Sequence, residues 1–398
     1  MKHIRRIGLL AVGDAAWQGG IQYITNIIYA LDSVSFGNDI EVFLIKNNDQ
    51  FFPAFELQNI KLSVVSINES LPPFSMRNRM LWFLQRKLSG RINPRYENFF
   101  LRHQIDFVFP GLFSDCGGRL NSAGWIADFQ YHYFPEGHGA EASKQAEQVI
   151  SRIANQAKKI VFSSRFCEQD AYRLFPQTKG KSFVMPFAVH LNAADFKQSP
   201  EMVREKYQID VPYIMVSNLF APTKNHKTLF EALGILRKKG LVIPCVCTGN
   251  FVNYQRMSFT NEVLQMISEN GIRHQLYILG LIPRQDQVAL YRMAVALVQP
   301  SVNEGWSTLV EEAKAMSKKI LLSDIEVHRE QYPDNPWMFK ALDAMDLATK
   351  LERVWHESHK QQTPDMDLEQ KSISAYAQHV KLFGTQFLQI AQANLIKK

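Results

Sequence analysis

The sequence predicts an α/β protein of two doubly wound parallel sheets. Short apolar runs alternate with longer amphipathic segments along the whole chain. The alternation breaks near "MPFAVHLNAADFKQSPEMV", which carries Pro186, Pro200 and little periodicity, and then restarts. The 398 residues also exceed the size at which a single core stops growing, about 250 to 300 residues. Two successive β-α-β arrays place the domains at 1–190 and 191–371.

In the first array, "RIGLLAV", "IEVFLIK", "IDFVFP", "GWIADF" and "KKIVFSS" have the length and composition of buried strands. "GGIQYITNIIYAL" lies between the first two, with Ile21, Ile24, Ile27, Ile28 and Leu31 at helical spacing. In the second, "PYIMVSN", "IPCVCTG", "QLYILGL", "VALVQPS" and "KKILLSD" are the strands. "KTLFEALGILRKKG", "QVALYRMA" and "TLVEEAKAMSK" are helices between them. The apolar run IGLLAV is shorter than the roughly 7 to 15 residues of a signal core, and no stretch approaches the ~18 needed to span a membrane.

Net charge is +7, which favours anionic partners: nucleic acid, an anionic lipid surface or a phosphorylated substrate. No nucleic-acid-binding module is recognised, so nucleic acid is not expected. Four cysteines are too few for a disulfide scaffold and fit a reducing cytoplasm; Cys245 and Cys247 share one strand face and have no second ligand pair nearby. Residues 77–104 hold seven Arg or Lys against one acid, Glu97, together with Trp82, Phe83, Phe99 and Phe100. That composition suits contact with anionic lipid at the inner membrane face, and equally an amphipathic helix with a solvated side.

Open parallel sheets bind ligands beyond the carboxyl ends of their strands. One such end carries "NEGWSTLVEEAKA". Gly305, Trp306, Ser307 and Thr308 are expected in the first turn of a helix, where free N–H groups and the helix dipole make an anion site. Glu312 falls one turn beyond Thr308 and suits a vicinal diol such as a ribose, while Glu304 just precedes the helix. Alone, the fragment fits an N-cap with two solvated glutamates as well. A second strand end, "SNLFAPTKNHK", places Lys224 beside a helix beginning near Asn225, itself a candidate N-cap. A lysine there clamps a diphosphate. In the first domain Gly19 and Gly20 precede a helix without the G-x-G-x-x-G spacing of dehydrogenases. Asp365 and Asp367 form a D-x-D pair, but no buried strand precedes them, so they read as the opening of a helix.

Taken together, "EGWSTLVEEAKA" with "SDIEVHRE" resembles the E-x(7)-E segment of retaining glycosyltransferases of family four. "VSNLFAPTKNHKTLFEAL" resembles that family's lysine-bearing phosphate loop, "GGIQYITN" its glycine loop, and "LGLIPRQDQVALYRMAVALVQPS" its base-binding stretch. The resemblance implies two Rossmann-like domains facing a central cleft, with the C-terminal helix, 372–398, returning to the first. It implies a metal-independent enzyme with no cofactor beyond its nucleotide-sugar co-substrate, GDP-mannose or another hexose nucleotide. The acceptor would be a growing surface polysaccharide such as lipopolysaccharide, or a lipid-linked glycan. By position, Glu304 would orient the donor sugar and Gly305, Trp306, Ser307, Thr308 and Leu309 would hold sugar and diphosphate. Glu312 would hold the ribose, Leu281 and Ile282 the base, and Lys224 the departing diphosphate. Gly249, Asn225, Gly19 and Gly20 complete the donor candidates. Asn218 stands where many relatives carry an arginine, and His132, in "ADFQYHYFPE", is the candidate for the family's active-site histidine. A nucleotide-sugar epimerase and a non-catalytic glycan-binding or scaffold protein with a decayed site are the rival readings.

Overall fold

The computed structural model describes residues 4–13, 17–47, 50–66, 73, 75–89, 94–111, 120–135, 139–251, 257–358 and 364–393. Cys116 lies outside them. Two compact units divide the chain: 1–190 with 377–398, and Leu191–Tyr376.

In the first unit, β1 (Arg6–Leu10), β2 (Ile40–Lys46), β3 (Ile60–Ser66) and β4 (Phe107–Phe109) form a parallel sheet in the order β3-β2-β1-β4. A second parallel set, β5 (Gly124–Ile126), β6 (Ile160–Phe162) and β7 (Ser182–Val184), is tied to it by a bridge between Val108 and Ser122. The helix Gln18–Val34 buries Ile21, Ile24, Ile27, Ile28 and Leu31, the stripe its spacing predicts. Chain return is sealed at the end of the last helix, Met366–Gln392. Phe387 meets Phe107 and Phe109 edge-on, with ring centroids 5.7 and 5.4 Å away. Asn121 donates to the Ala391 carbonyl at 2.6 Å and buried Lys159 donates to that of Ile390 at 2.9 Å, satisfying acceptors that a helix end leaves open.

The second unit has one six-stranded parallel sheet: β8 (Ile214–Ser217), β9 (Cys245–Thr248), β10 (Leu276–Gly280), β11 (Ala296–Gln299), β12 (Ile320–Ser323) and β13 (Met338–Phe339). Their order is β10-β9-β8-β11-β12-β13. Both faces are covered, so the strands are apolar throughout rather than alternating. Ile214, Val216, Cys245, Cys247 and Val298 pack with Leu229, Leu233, Leu351 and Trp355 on one side. Met215, Val246 and Leu297, one residue out of phase, pack with Val288, Leu290, Val310 and Ala313 on the other. The strand order reverses between β8 and β11, which is where such sheets open a ligand crevice.

Three strands escape sequence reading: β3, β7 and β13. The first is half-exposed and the other two are three and two residues long, so none makes an apolar run. Segment 77–104 contains helices, as one of its two readings has it. It forms the helices Met76–Ser89 and Pro94–Arg102, and Trp82, Phe99 and Phe100 are buried, leaving Phe83 as the exposed aromatic. Phe99 and Phe100 pack with Leu10, Phe43 and Ile105 beneath β1 and β2. Asp365 caps the last helix, accepting from the Leu368 N–H at 3.0 Å.

Candidate functional site

The loops that leave β8 and β11 are sewn together. After β8 the chain makes a 3₁₀ turn, Pro222–Lys224, and Asn225 then takes a left-handed conformation at φ 51° before the helix His226–Lys238. The Asn225 amide donates to the Pro300 carbonyl at 3.0 Å and to that of Ala341 at 2.9 Å, and the Val302 N–H donates to Thr223 at 2.9 Å. Asn225 is therefore not the plain N-cap expected: its side chain caps no helix N–H, its amide donates to Pro300 and Ala341, and its Oδ1 accepts from the Thr228 hydroxyl at 3.0 Å. His226 is buried and stacked on Phe220, its ring centroid 3.9 Å away; burial, then the charge of Lys224, push its pKa down to about 3, so it is a neutral packing group.

This stitching brings Lys224 to Glu304. Lys224 Nζ lies 2.6 Å from Glu304 Oε1, which also accepts from Gln299 Nε2 at 2.8 Å. Gln299 in turn accepts from Asn218 Nδ2 at 2.8 Å. Asn218, Gln299, Glu304 and Lys224 thus form one chain of hydrogen bonds across the switch point. The Glu304 side chain is 9% exposed and that of Lys224 23%, so the ammonium is the more open end. His328, which sequence reasoning did not single out, is fully buried, with Nδ1 2.8 Å from the Ser323 carbonyl oxygen. Burial lowers its pKa, while the nearby charge of Glu304 works to raise it.

The helix itself is Thr308–Ala315, with Ser307 at the N-cap. Gly305 and Trp306 precede it in a bend, so they are not in its first turn as expected. The Ser307 N–H is taken by Gln331 Oε1 at 3.1 Å, and Gln331 Nε2 returns a bond to the Ser307 carbonyl at 2.7 Å. The helix therefore starts three residues later than expected, with Gln331 holding Ser307 at its N-cap, and the open first-turn N–H groups belong to Thr308, Leu309 and Val310. Glu312 is not the open acceptor its spacing suggests. It is buried, and Arg284 Nη1 lies 2.6 Å from its Oε1. Arg284 follows the β10 end, where Leu281 is exposed and Ile282 half-buried. Its pairing joins two segments 28 positions apart, which no local pattern reveals. Gly249 closes the β9 end at φ 115°, and a Cβ there would sit 2.2 Å from the Asn218 carbonyl oxygen.

The remaining candidates belong to the first unit. A Cβ on Gly20 would lie 2.7 Å from the Gly13 nitrogen, so the turn from β1 into its helix requires glycine there. Gly19 is open apart from the Trp17 side chain. His132 is exposed in the short helix Gln130–Tyr133, whose first N–H Asp128 accepts at 2.9 Å. Among the described residues no group of three or more His, Cys, Asp or Glu is arranged to hold a metal. Cys245 and Cys247 are buried, with Sγ atoms 3.8 Å apart.

A two-unit α/β architecture with this chain of contacts at the switch point of its second sheet defines a class. Residues 201–371 match the family described as glycosyl transferases group 1. Those residues therefore carry a glycosyltransferase domain, and the chain has the fold of B-type glycosyltransferases, with two Rossmann-like domains. It is similar to the O-antigen chain mannosyltransferase B of Escherichia coli, 25% identical over 308 residues, covering 73% of this chain and 78% of that protein. Among solved structures it resembles a sucrose-phosphate synthase from Thermosynechococcus elongatus, with a TM-score of 0.64, 15% identity and 98% of each chain covered. It also resembles the Anabaena protein HepE in complex with UDP and glucose, with a TM-score of 0.65, 14% identity, and 98% of this chain and 100% of that one covered.

Proposed function

We propose that the protein transfers a hexose, mannose from GDP-mannose foremost, from its nucleotide sugar to a growing surface polysaccharide or lipid-linked glycan, with retention of anomeric configuration and without a metal. The observation that carries this reading is the Lys224–Glu304 pair set beside the open N-terminus of Thr308–Ala315 at the sheet's switch point. A diphosphate leaving group builds negative charge as the glycosidic bond breaks. An ammonium and aligned N–H groups are suited to stabilise it. Glu304 would orient the sugar beside it, Glu312 the ribose, Leu281 and Ile282 the base, and Gly249 would let the ligand approach the β9 end. Gly19, Gly20 and His132 are the first unit's candidates for donor contact. The named activity of the E. coli relative supports mannose and an O-antigen-type acceptor, while the UDP and glucose of HepE make UDP-glucose the donor to test beside GDP-mannose.

The acceptor would be met at the inner face of the membrane. Helix Met76–Ser89 has no acid, and turns Met76, Met80, Leu81, Phe83, Leu84 and Leu88 to solvent among Arg77, Arg79 and Lys87, while Trp82 points inward. An outward apolar face studded with cations fits an anionic bilayer. No helix among the described residues is long and apolar enough to cross a membrane.

Incubation with radiolabelled GDP-mannose and UDP-glucose tests the reading. Transfer to a glycan acceptor, or slow donor hydrolysis without one, supports it. Conversion of the donor to its epimer would make the protein an epimerase, and no turnover with nucleotide binding intact would make it a binding protein.

A further inference from the structure

Arg284, the first residue of helix Arg284–Met293, is placed by several contacts at once. Its Nη1 lies 2.6 Å from Glu312 Oε1 and donates to Gln287 Oε1 at 3.1 Å, and its Nε lies 3.9 Å from Asp195 Oδ1. Gln287 Nε2 donates to Ser217 Oγ at 2.6 Å, which fastens the arrangement to the end of β8. Nη2 is buried and has no acceptor among the described residues. The Glu312 side chain is 3% exposed and that of Arg284 29%, so a ligand that reaches the carboxylate also meets the guanidinium.

A carboxyl group buried this deeply favours its neutral form unless a cation opposes that. On balance the Glu312 pKa is raised: burial raises it most, the charge and hydrogen bond of Arg284 oppose that, Asp195 adds to it and the Tyr291 hydroxyl opposes it. Arg284 is the cation in that set. A neutral carboxyl spends one oxygen as a donor, whereas a ribose diol presents two hydroxyls and is best met by an acceptor-only group.

We propose that Arg284 is a positioning residue for nucleotide recognition: it holds Glu312 in place as a carboxylate able to accept from a ribose diol, and its Nη2 offers a further donor to the same nucleotide. This rests on the nucleotide-sugar reading of the site. Arg284 acts on ligand affinity through Glu312, so its removal has a signature in pH that a purely structural role lacks. Without the guanidinium, Glu312 stays protonated to higher pH and binding recovers only as the solution becomes alkaline.

The test is calorimetric titration of GDP and of UDP into the wild-type chain, Arg284→Gln and Arg284→Lys, at about pH 6 and about pH 8.5. Thermal unfolding of each variant checks the fold. Wild type should bind at least one diphosphate with similar affinity at both pH values. Arg284→Gln should lose about tenfold or more at the lower pH, the scale of one hydrogen bond to a charged group, and regain most of it at the higher. Arg284→Lys should follow the wild-type pH behaviour with a smaller loss. Wild-type affinity in Arg284→Gln at both pH values would overturn the inference. So would an equal loss at both pH values shared by the lysine variant. If the wild-type chain binds neither diphosphate, the nucleotide-sugar reading fails and this inference fails with it.

Discussion

Lys224 Nζ lies 2.6 Å from Glu304 Oε1, joining the loop after β8 to the loop after β11 at the point where the sheet reverses its strand order. The two charges satisfy one another. On the proposed reading a diphosphate would give Lys224 a second anion to serve, with Glu304 still anchored by Gln299. Lys224→Met should therefore depress turnover far more than it weakens the bound diphosphate. Loss of one electrostatic donor to a developing charge costs about 10²- to 10³-fold in kcat. Initial rates with the labelled donor decide it, and a variant within threefold of wild type would remove Lys224 from the mechanism.

Gly249 should not tolerate a side chain. Its φ of 115° disfavours every L residue, and a Cβ would meet the Asn218 carbonyl oxygen at 2.2 Å. Gly249→Ala should destabilise the second unit by at least about 1–3 kcal/mol, the cost of a strained backbone, and shift Asn218 away from Gln299. Denaturant unfolding measures the first effect. A midpoint equal to wild type would show that the loop relaxes freely.

Helix Met76–Ser89 should bind anionic vesicles and ignore neutral ones. Each basic side chain near such a surface contributes about 1 kcal/mol, so converting Arg77, Arg79 and Lys87 to Gln should weaken binding by about 100-fold at low salt. Met80→Glu with Leu84→Glu should abolish it by removing the apolar contact. Co-sedimentation with phosphatidylglycerol and phosphatidylcholine vesicles reads both, and equal binding to the two lipids would count against the surface.

Activity should survive EDTA. The groups placed to meet the diphosphate at the candidate site are the Lys224 ammonium and the open N–H donors at the start of Thr308–Ala315. Complete loss on chelation, restored by Mn²⁺ or Mg²⁺, would replace this account with a metal-dependent one.

Much of the second unit is legible in the chain because β8, β9, β11 and β12 are buried on both faces and end at recognisable turns, and β10, though half-buried at the sheet edge, is as apolar. β8 through β12 each appear as an unbroken apolar run, and Lys224 and Glu304 stand directly after two of them. What stays hidden has a physical reason. The edge strand β13 has two residues, too few for any period. In 77–104 the linear composition merges faces that the helices separate, so buried Phe99 and Phe100 look alike with exposed Phe83. The helix start at Thr308 depends on Gln331, 24 residues downstream of Ser307. Arg284 carries no sign that its partner is Glu312; that pairing exists only once β10 and β11 have taken their places in the sheet.

The account turns on the two glutamates having different tasks. On the proposed reading Glu304, paired with Lys224, would face the transferred sugar, and Glu312, paired with Arg284, would face the ribose. Glu304→Gln and Glu312→Gln should be compared by calorimetry with the nucleoside diphosphate and by initial rates with the full nucleotide sugar. Glu312→Gln should weaken both diphosphate and donor by about 10- to 150-fold, the equivalent of roughly 1.5 to 3 kcal/mol for a lost hydrogen bond to a charged group. Glu304→Gln should leave diphosphate affinity near wild type and lower turnover, because the reacting sugar loses its orientation. Equal loss of diphosphate affinity in the two variants, or full turnover in Glu304→Gln, would contradict the assignment.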